Sequence, residues 1–258
     1  MENEKTAWVS VETTGLDVRE ARVVKIDILA VRDKSVLQSL NTLVNPEVPI
    51  PKDASDYNGI TDDMVADAPK FSEIATIVLK FLNDCGCIGG DSISFFDLAV
   101  LMSEFERLGM EFNVRGKRIV DTNEIYKKCV RRGLDEKLKE CLNDEDYENM
   151  SKCVSRNVGA YDNDAFRSLM LYRALARDYE LDDRCVDDIC GNVGRIDLAG
   201  FFVKDFGGNV LFARGKYSGK NINDVDMSYF QWMCRNPKFN SDTRDIAARI
   251  IKARYSKR

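Results

Sequence analysis

Two apolar, β-branched segments near the N-terminus limit the folds open to this chain more than any other feature. They span Ala7–Glu12 and Val23–Val31, and a short polar stretch separates them. Runs of this length and composition are typical of buried strands, and a short polar connection favours their pairing. A third run, Leu37–Val44, predicts another strand. The chain is therefore expected to begin with a sheet.

Helical periodicity then alternates with short apolar runs. The segment 46–69 contains four of the five prolines and is predicted to be a loop. Ser72 is the predicted N-cap of the first helix, and Asp97 and Asp164 each open a later one. Short strands are predicted at Cys87–Gly90 and Arg118–Val120, with charged helices over 122–155. Interleaved strands and helices indicate an α/β domain.

Three regions are distinguished by composition and periodicity. Residues 1–180 form the predicted α/β domain, weak periodicity predicts a linker at 181–203, and residues 204–258 are predicted to form a hairpin and two short helices. The last region carries 12 Lys or Arg against 5 Asp, whereas the remaining chain has 26 basic and 38 acidic residues. An acidic body thus precedes a basic module, a charge pattern that favours phosphate binding by the module.

The composition excludes several classes of protein. The absence of histidine removes Ser-His and Cys-His nucleophiles and the commonest general base. No apolar run reaches the roughly 20 residues of a membrane helix, so no membrane partner is expected. The acidic N-terminus does not resemble a targeting peptide, which predicts a cytoplasmic (intracellular) location with reduced cysteines. Hydrolysis, if present, must depend on carboxylates, metals or lysine.

Three carboxylates lie at the ends of separate predicted elements. Glu12 ends the first strand, whereas Asp97 and Asp164 begin helices. Converging carboxylates bind hard cations, and a pair of ions roughly 4 Å apart supports phosphodiester hydrolysis without a protein nucleophile. A simpler alternative is that the two aspartates only cap their helices.

The strings around these residues resemble the DnaQ-like (DEDDh) three-prime to five-prime exonucleases. They are Glu12-Thr-Thr-Gly-Leu16, Phe96-Asp-Leu-Ala99 and Asp164-Ala-Phe-Arg167, and Asn58-Gly-Ile-Thr61 lies in family order between them. The resemblance implies a ribonuclease-H-like exonuclease fold, with a mixed central sheet flanked by helices. It also implies that Glu12, Asp97 and Asp164 bind Mg²⁺ or Mn²⁺.

The C-terminal region resembles the small module of exodeoxyribonuclease X. The matching strings are Ala213-Arg-Gly-Lys-Tyr-Ser-Gly-Lys220 and Tyr229-Phe-Gln-Trp232. The two resemblances cover almost the whole chain except residues 125–155 and the linker. They imply nucleic-acid contacts in the loop after the first strand and in the module, through Thr13, Thr14, Gly15, Leu16, Lys216 and Lys220.

Two departures from the family pattern bear directly on catalysis. Ser10 stands where the family has its first aspartate, and Gly159 where it has its general-base histidine. A missing bridging carboxylate weakens metal binding, so the metal site is expected to be weak or absent. Loss of a general base lowers the rate by about 10²–10⁴. If the register slips by two residues, Asp162 replaces Asp164 as ligand and Asn157 takes the histidine position.

Other positions depart from the family as well. Asp91 and Ser92 replace a His-Asn pair, Asn58 replaces a histidine, and Lys25 and Asp27 flank an isoleucine where the second strand normally has Glu-Ile-Gly. We therefore expect a catalytically inactive or strongly impaired relative, retained for nucleic-acid binding or as a structural subunit.

Two alternatives remain open at this point. The first is an active Mg²⁺- or Mn²⁺-dependent exonuclease in which Asp91 or Asp162 compensates for the losses. The second is a protein-interaction scaffold without nucleic acid. The expected partners are accordingly single-stranded nucleic acid or another protein, and the sequence does not distinguish DNA from RNA. A zinc site at Cys185 and Cys190 is not favoured, since no second ligand pair has suitable spacing.

Overall fold

The computed structural model describes residues 4–33, 35–129 and 164–256. Its central feature is a five-stranded sheet with the order β3-β2-β1-β4-β5, in which β1 pairs antiparallel with β2 and parallel with β4. This mixed sheet confirms the predicted fold class. The strands are β1 Thr6–Thr13, β2 Val23–Arg32, β3 Ser35–Leu43, β4 Cys87–Gly90 and β5 Arg118–Asp121.

Helices cover both faces of the sheet. Nine α-helices are present in the described ranges, with a single 3₁₀ turn at Ile222–Asp224. Their bounds are α1 Lys52–Asn58, α2 Asp62–Val65, α3 Phe71–Asn83, α4 Asp97–Arg107, α5 Thr122–Cys129, α6 Asp164–Asp178, α7 Asp183–Ile189, α8 Met227–Arg235 and α9 Ser241–Tyr255.

Period-two alternation along β1 and β2 separates two cores. Val9 and Ile28 face one side, where they pack in a cluster with Phe71 of α3 and Leu98 of α4. Trp8 and its neighbours face the other side, in a cluster with α5 and α6. The Trp8 ring lies directly on Gly89 of β4, where an added Cβ would approach ring carbons to 2.8 Å. Strands β1 and β2 are thus buried on both faces over most of their length, whereas β3 at the edge is partly exposed.

Two predicted boundaries are wrong. The segment 46–69, predicted as loop, contains α1 and α2; Pro51 precedes α1 with φ −59°, and Gly59 ends it with φ +73°. Proline at a helix start and glycine after its end are compatible with a helix, so the high proline content was misleading. Ser72 lies inside α3, and Lys70 is the N-cap, whose backbone N–H donates to Glu73 at 2.7 Å.

Residues 181–203 are a packed segment rather than an extended linker. They contain α7, whose Val186 is buried in the α5–α6 cluster, while Leu198 is buried in the opposite core. Arg118 of β5 forms an ion pair with Asp187 at 2.8 Å. Periodicity is weak because α7 has only seven residues and one buried side chain, and it is held by contacts distant in sequence.

The C-terminal module has its own small core. Strands β6 Phe202–Lys204 and β7 Val210–Phe212 form the predicted hairpin, so β6 begins inside the predicted linker. Phe202, Phe212 and Phe230 pack with residues of α8 and α9. The module contacts the sheet domain through α9, where Arg244 donates to both carboxylate oxygens of Glu106 at 2.7 and 2.8 Å. No described helix is long and apolar enough to cross a membrane.

Candidate carboxylate site and nucleic-acid interface

The candidate site lies where β1 extends beyond its parallel neighbour β4. The last residue of β1 that pairs with β4 is Trp8, and β4 ends at Gly90. A Cβ at Gly90 would lie 2.5 Å from the carbonyl oxygen of Val9, so only glycine permits this approach. The remaining part of β1 carries Ser10 and Glu12 on the face covered by α6.

Asp97, at the start of α4, contacts the part of β1 that extends beyond β4. Phe96 occupies the N-cap position and Asp97 is the first helical residue, so the alternative that Asp97 merely caps its helix is wrong. Its Oδ1 accepts the backbone N–H of Val11 at 2.8 Å. The Asp97 carboxyl is buried, which raises its pKa to about 7, and the carboxylates of Asp91 and Glu12 act in the same direction.

Two further carboxylates, at the ends of β4 and β5, also bind protein donors. Asp91 accepts the hydroxyl of Thr122 at 3.1 Å, and burial raises its pKa. Asp121 lies beside Gly90 in the register and accepts the backbone N–H of Ser94 at 3.0 Å and that of Glu124 at 3.2 Å. Sequence analysis did not single out Asp121; the signal was an acidic residue directly after a predicted strand.

Asp27, the cross-strand partner of Ser10, is a second carboxylate that the sequence analysis did not place in the site. Ser10 lies opposite Asp27 of β2, and Asp27 lies opposite Asn41 of β3. Asp27 is buried, with its Oδ2 3.2 Å from the Lys25 ammonium and its Oδ1 accepting the Asn41 amide. Burial raises the pKa of Asp27 to about 6, while the Lys25 charge opposes this shift.

Asp164 is the first residue of α6, on the same face as Ser10 and Glu12. Its charge helps to raise the pKa of Asp27, so the two carboxyls lie within electrostatic range. The Asp164 carboxylate also forms an ion pair with Arg167 one turn later, at 3.2 Å. The structure therefore brings Asp164 towards the Ser10–Asp27 pair. Gly159, Tyr161, Asp162 and Asn157 lie outside the described residues.

The donor set of the described residues does not fit a two-cation centre. The position next to Asp27 is a neutral hydroxyl at Ser10, and the carboxylates of Asp27 and Asp97 already bind Lys25 and a backbone N–H. Among the described residues, no three Cys, Asp or Glu side chains come together in a metal-binding arrangement. The ammonium group of Lys25 is thus paired with the carboxylate that lies opposite Ser10.

The loop after β1 presents one apolar side chain to solvent. Thr13 donates its hydroxyl to the Gly15 carbonyl at 2.7 Å, and the Thr14 hydroxyl accepts the backbone N–H of Arg22 at 3.0 Å. Asn58, which replaces a family histidine, donates to the Thr13 carbonyl at 3.2 Å. These bonds leave Leu16 projecting, with 86% of its surface exposed. The role of this loop in nucleic-acid binding stays a prediction.

The two predicted lysines of the module flank one aromatic ring. The ammonium groups of Lys216 and Lys220 lie 5.3 and 5.7 Å from the ring centroid of Tyr217. Both lysines are exposed, and Tyr217 packs in turn against Phe212 and Tyr229. The role of this pair in nucleic-acid binding stays a prediction.

Comparison with known proteins places the chain among exonucleases. The RNase_T family, described as exonucleases, matches residues 8–182. The 3′-5′ exonuclease DinG of Staphylococcus epidermidis is 30% identical over 121 residues, which are 47% of this chain and 13% of that protein. The DNA polymerase III subunit epsilon of Treponema pallidum is 38% identical over 71 residues, covering 28% of this chain and 33% of that protein. The chain thus spans only a small part of these relatives.

Solved structures agree at the level of the fold. Escherichia coli Exonuclease I in complex with a dA16 oligonucleotide has a TM-score of 0.52 at 14% identity, covering 72% of this chain and 42% of that chain. Exonuclease X in complex with 5′ overhanging duplex DNA gives a TM-score of 0.44, so the resemblance of the module to that enzyme stays a prediction. Because the family match extends over most of the length, the chain belongs to the RNase_T family of DnaQ-like 3′-5′ exonucleases.

Proposed function

We propose that this chain is a catalytically impaired member of its family that has kept the fold for binding single-stranded nucleic acid. The observation that carries the proposal is the row formed by Ser10, Asp27 and Lys25. A neutral hydroxyl replaces the first carboxylate of the family, and the carboxylate opposite it is already neutralised by an ammonium 3.2 Å away. Mg²⁺ or Mn²⁺, which the family resemblance implies, would have to displace this ion pair.

Nucleic-acid binding is supported by different residues. Lys216 and Lys220 form no ion pair with a described residue, and they lie at an aromatic ring in a module with a net positive charge. DinG and Exonuclease I, which resemble this chain, are an exonuclease and a protein solved with an oligonucleotide. The module is therefore proposed as the main source of affinity for phosphate groups.

The test is an exonuclease assay combined with a binding assay. Purified protein is incubated with a labelled single-stranded oligonucleotide and Mg²⁺ or Mn²⁺, with Glu12→Ala as the matched control. We expect the oligonucleotide to bind, and its degradation to equal that of the control. Degradation by the wild type that Glu12→Ala abolishes would contradict the proposal.

One observation favours an active enzyme as the second candidate. Asp27 lies directly opposite Ser10 and within electrostatic range of Asp164, so its carboxylate is close to the position of the missing one. In that case Asp27→Asn would abolish degradation as completely as Glu12→Ala does. The third candidate, a protein-interaction scaffold, requires that the wild type bind no oligonucleotide.

A further inference from the structure

A second cationic site lies between the sheet domain and the module. A cavity of about 100 Å³ is enclosed by the loop after β4, the start of α5 and the segment after α7, and its lining includes Phe95, Glu124, Arg195 and Arg214. A cavity of this size has room for several water molecules or for a small anion. Two guanidinium groups therefore line a space that fits a small anion.

Arg195 presents an unused donor at this cavity. Its Nε donates to the Gly191 carbonyl at 3.0 Å, and its Nη2 donates to the Cys190 carbonyl. These two bonds orient the guanidinium plane, whereas Nη1 is buried and has no hydrogen-bond partner among the described residues. A buried donor without an acceptor is destabilising, so a small rotation of the guanidinium that brought Nη1 to a ligand acceptor in the cavity would remove this cost.

Arg214 supplies the second cation. Its side chain forms no hydrogen bond or ion pair within the described ranges. Burial lowers the pKa of Arg195, and the charge of Arg214 acts in the same direction, whereas the charges of Asp197 and Asp121 oppose this shift, so the two guanidinium groups lie within electrostatic range of each other. Glu124, the carboxylate of the lining, is engaged by Lys127 at 3.3 Å. An anion between the two arginines would remove their repulsion.

Phe95 gives the cavity an aromatic border. It lies in the loop between Asp91 and Asp97, and 56% of its surface is exposed despite its size. The backbone of this loop is fixed by the bond from Ser94 N–H to Asp121 at 3.0 Å. A fixed, exposed ring beside two arginines is the arrangement that binds a base and its phosphate together.

We propose that Arg195 and Arg214 bind a phosphate group of a single-stranded nucleic acid, and that the adjoining base stacks on Phe95. This site rests on the proposed nucleic-acid function. It adds a phosphate contact in the cavity that borders the loop between Asp91 and Asp97. It is distinct from the Lys216–Lys220 pair, which lies on Tyr217.

The test compares variants of the full chain by anisotropy of a labelled oligothymidylate over a salt series. Arg214→Gln should weaken binding roughly tenfold and lower the slope of log K against log salt by about 0.7, as expected for one lost phosphate contact. Phe95→Ala should weaken binding by a similar factor without changing the slope, because stacking is not an ionic contact. Arg235→Gln, an exposed position of α8, is the matched control.

Arg195 is tested with a conservative substitution because its guanidinium also donates hydrogen bonds to the backbone of its own segment. Arg195→Lys keeps the charge but loses the fork of donors and its bonds to the Cys190 and Gly191 carbonyls, so we expect a lower melting temperature and, well below that temperature, weaker binding. Oligonucleotide binding by the wild type that is unaffected by both Arg214→Gln and Phe95→Ala would overturn this site while leaving the proposed function intact. No binding by the wild type would overturn both. Stabilisation by inorganic phosphate without oligonucleotide binding would overturn the assignment to nucleic acid.

Discussion

The carboxylate site and the basic module contain charged groups in opposite situations. Around Ser10 the charges are satisfied within the protein, since Asp27 binds Lys25 and Asp97 binds a backbone N–H of β1. In the module, Lys216, Lys220 and Arg214 have no carboxylate partner in the described part of the chain. The first region therefore pairs its charges internally, whereas the second presents unpaired cations, and the proposed function rests on this difference.

Restoration of the family residues should change the first region most. Ser10→Asp combined with Gly159→His should raise exonuclease activity on the order of 10²-fold or more, because a bridging carboxylate and a general base are both supplied. Each change alone should recover little. The measurement is the degradation rate of a labelled single strand with Mg²⁺. Metal binding by the double variant without turnover would show that the assumed alignment around Asp164 is wrong.

Charge reversal in the module should have the next largest effect. Lys216→Glu with Lys220→Glu should reduce oligonucleotide affinity by roughly tenfold or more and flatten the salt dependence by about 0.7 per lost phosphate contact. The control is Lys238→Glu with Lys252→Glu, which changes the charge of the same module equally at exposed positions. Equal loss in both double variants would mean that net charge, rather than the Tyr217 site, determines binding.

Removal of the Asp97 carboxylate should destabilise the sheet domain. Asp97→Ala leaves the buried N–H of Val11 without an acceptor and should lower the free energy of unfolding by about 1–3 kcal/mol. Asp97→Asn keeps an acceptor oxygen and removes a charge that is costly to bury, so its effect should be much smaller. Chemical denaturation of the three proteins measures both differences. An equal loss in the two variants would show that the charge itself is required.

The smallest effect concerns the junction between the two regions. Asp242 is buried where α9 meets the sheet domain and accepts the Leu198 N–H at 2.6 Å, and burial raises its pKa to about 6. Because the folded state then binds more protons than the unfolded state, the contribution of Asp242 to the free energy of unfolding is greatest at low pH. It should be lost as the pH rises from the ordinary aspartate pKa of 3.8 through about 6.

Asp242→Asn should therefore flatten the pH dependence of the free energy of unfolding across this interval. Asp224→Asn, an exposed change in the same module, is the control and should leave the pH dependence as in the wild type. A free energy of unfolding that rises with pH in the wild type and not in Asp242→Asn would contradict the assigned direction.

The first two strands of the sheet were predictable because they are long, β-branched and apolar. Elements that are stabilised by contacts distant in sequence could not be predicted in this way. Helix α7 buries only Val186 and is held by Arg118 of β5, a contact that no local pattern indicates. Helix α1 was missed because prolines were taken as loop residues, although Pro51 only precedes the helix.

The candidate site was predictable where a sequence string identified it. The proximity of Glu12 and Asp97 follows from the family resemblance, and the structure supports it through their electrostatic interaction. The position of Asp27 opposite Ser10 depends on the strand register, which includes an irregularity between Glu12 and Thr13. A shift of one residue would place Asp27 on the other face, so alternation alone was insufficient. The Arg195–Arg214 cavity could not be predicted, because segments that are distant in sequence must come together to form it.

Titration of the protein with Mn²⁺ tests the central claim most directly, since the claim is that protein partners satisfy the carboxylates around Ser10. Calorimetry on the wild type and on Glu12→Ala at neutral pH should give the same weak, non-saturating signal, because Lys25 already neutralises Asp27. Ser10→Asp provides the positive comparison and should bind more tightly than either. Saturable binding of Mn²⁺ to the wild type that Glu12→Ala abolishes would contradict this account.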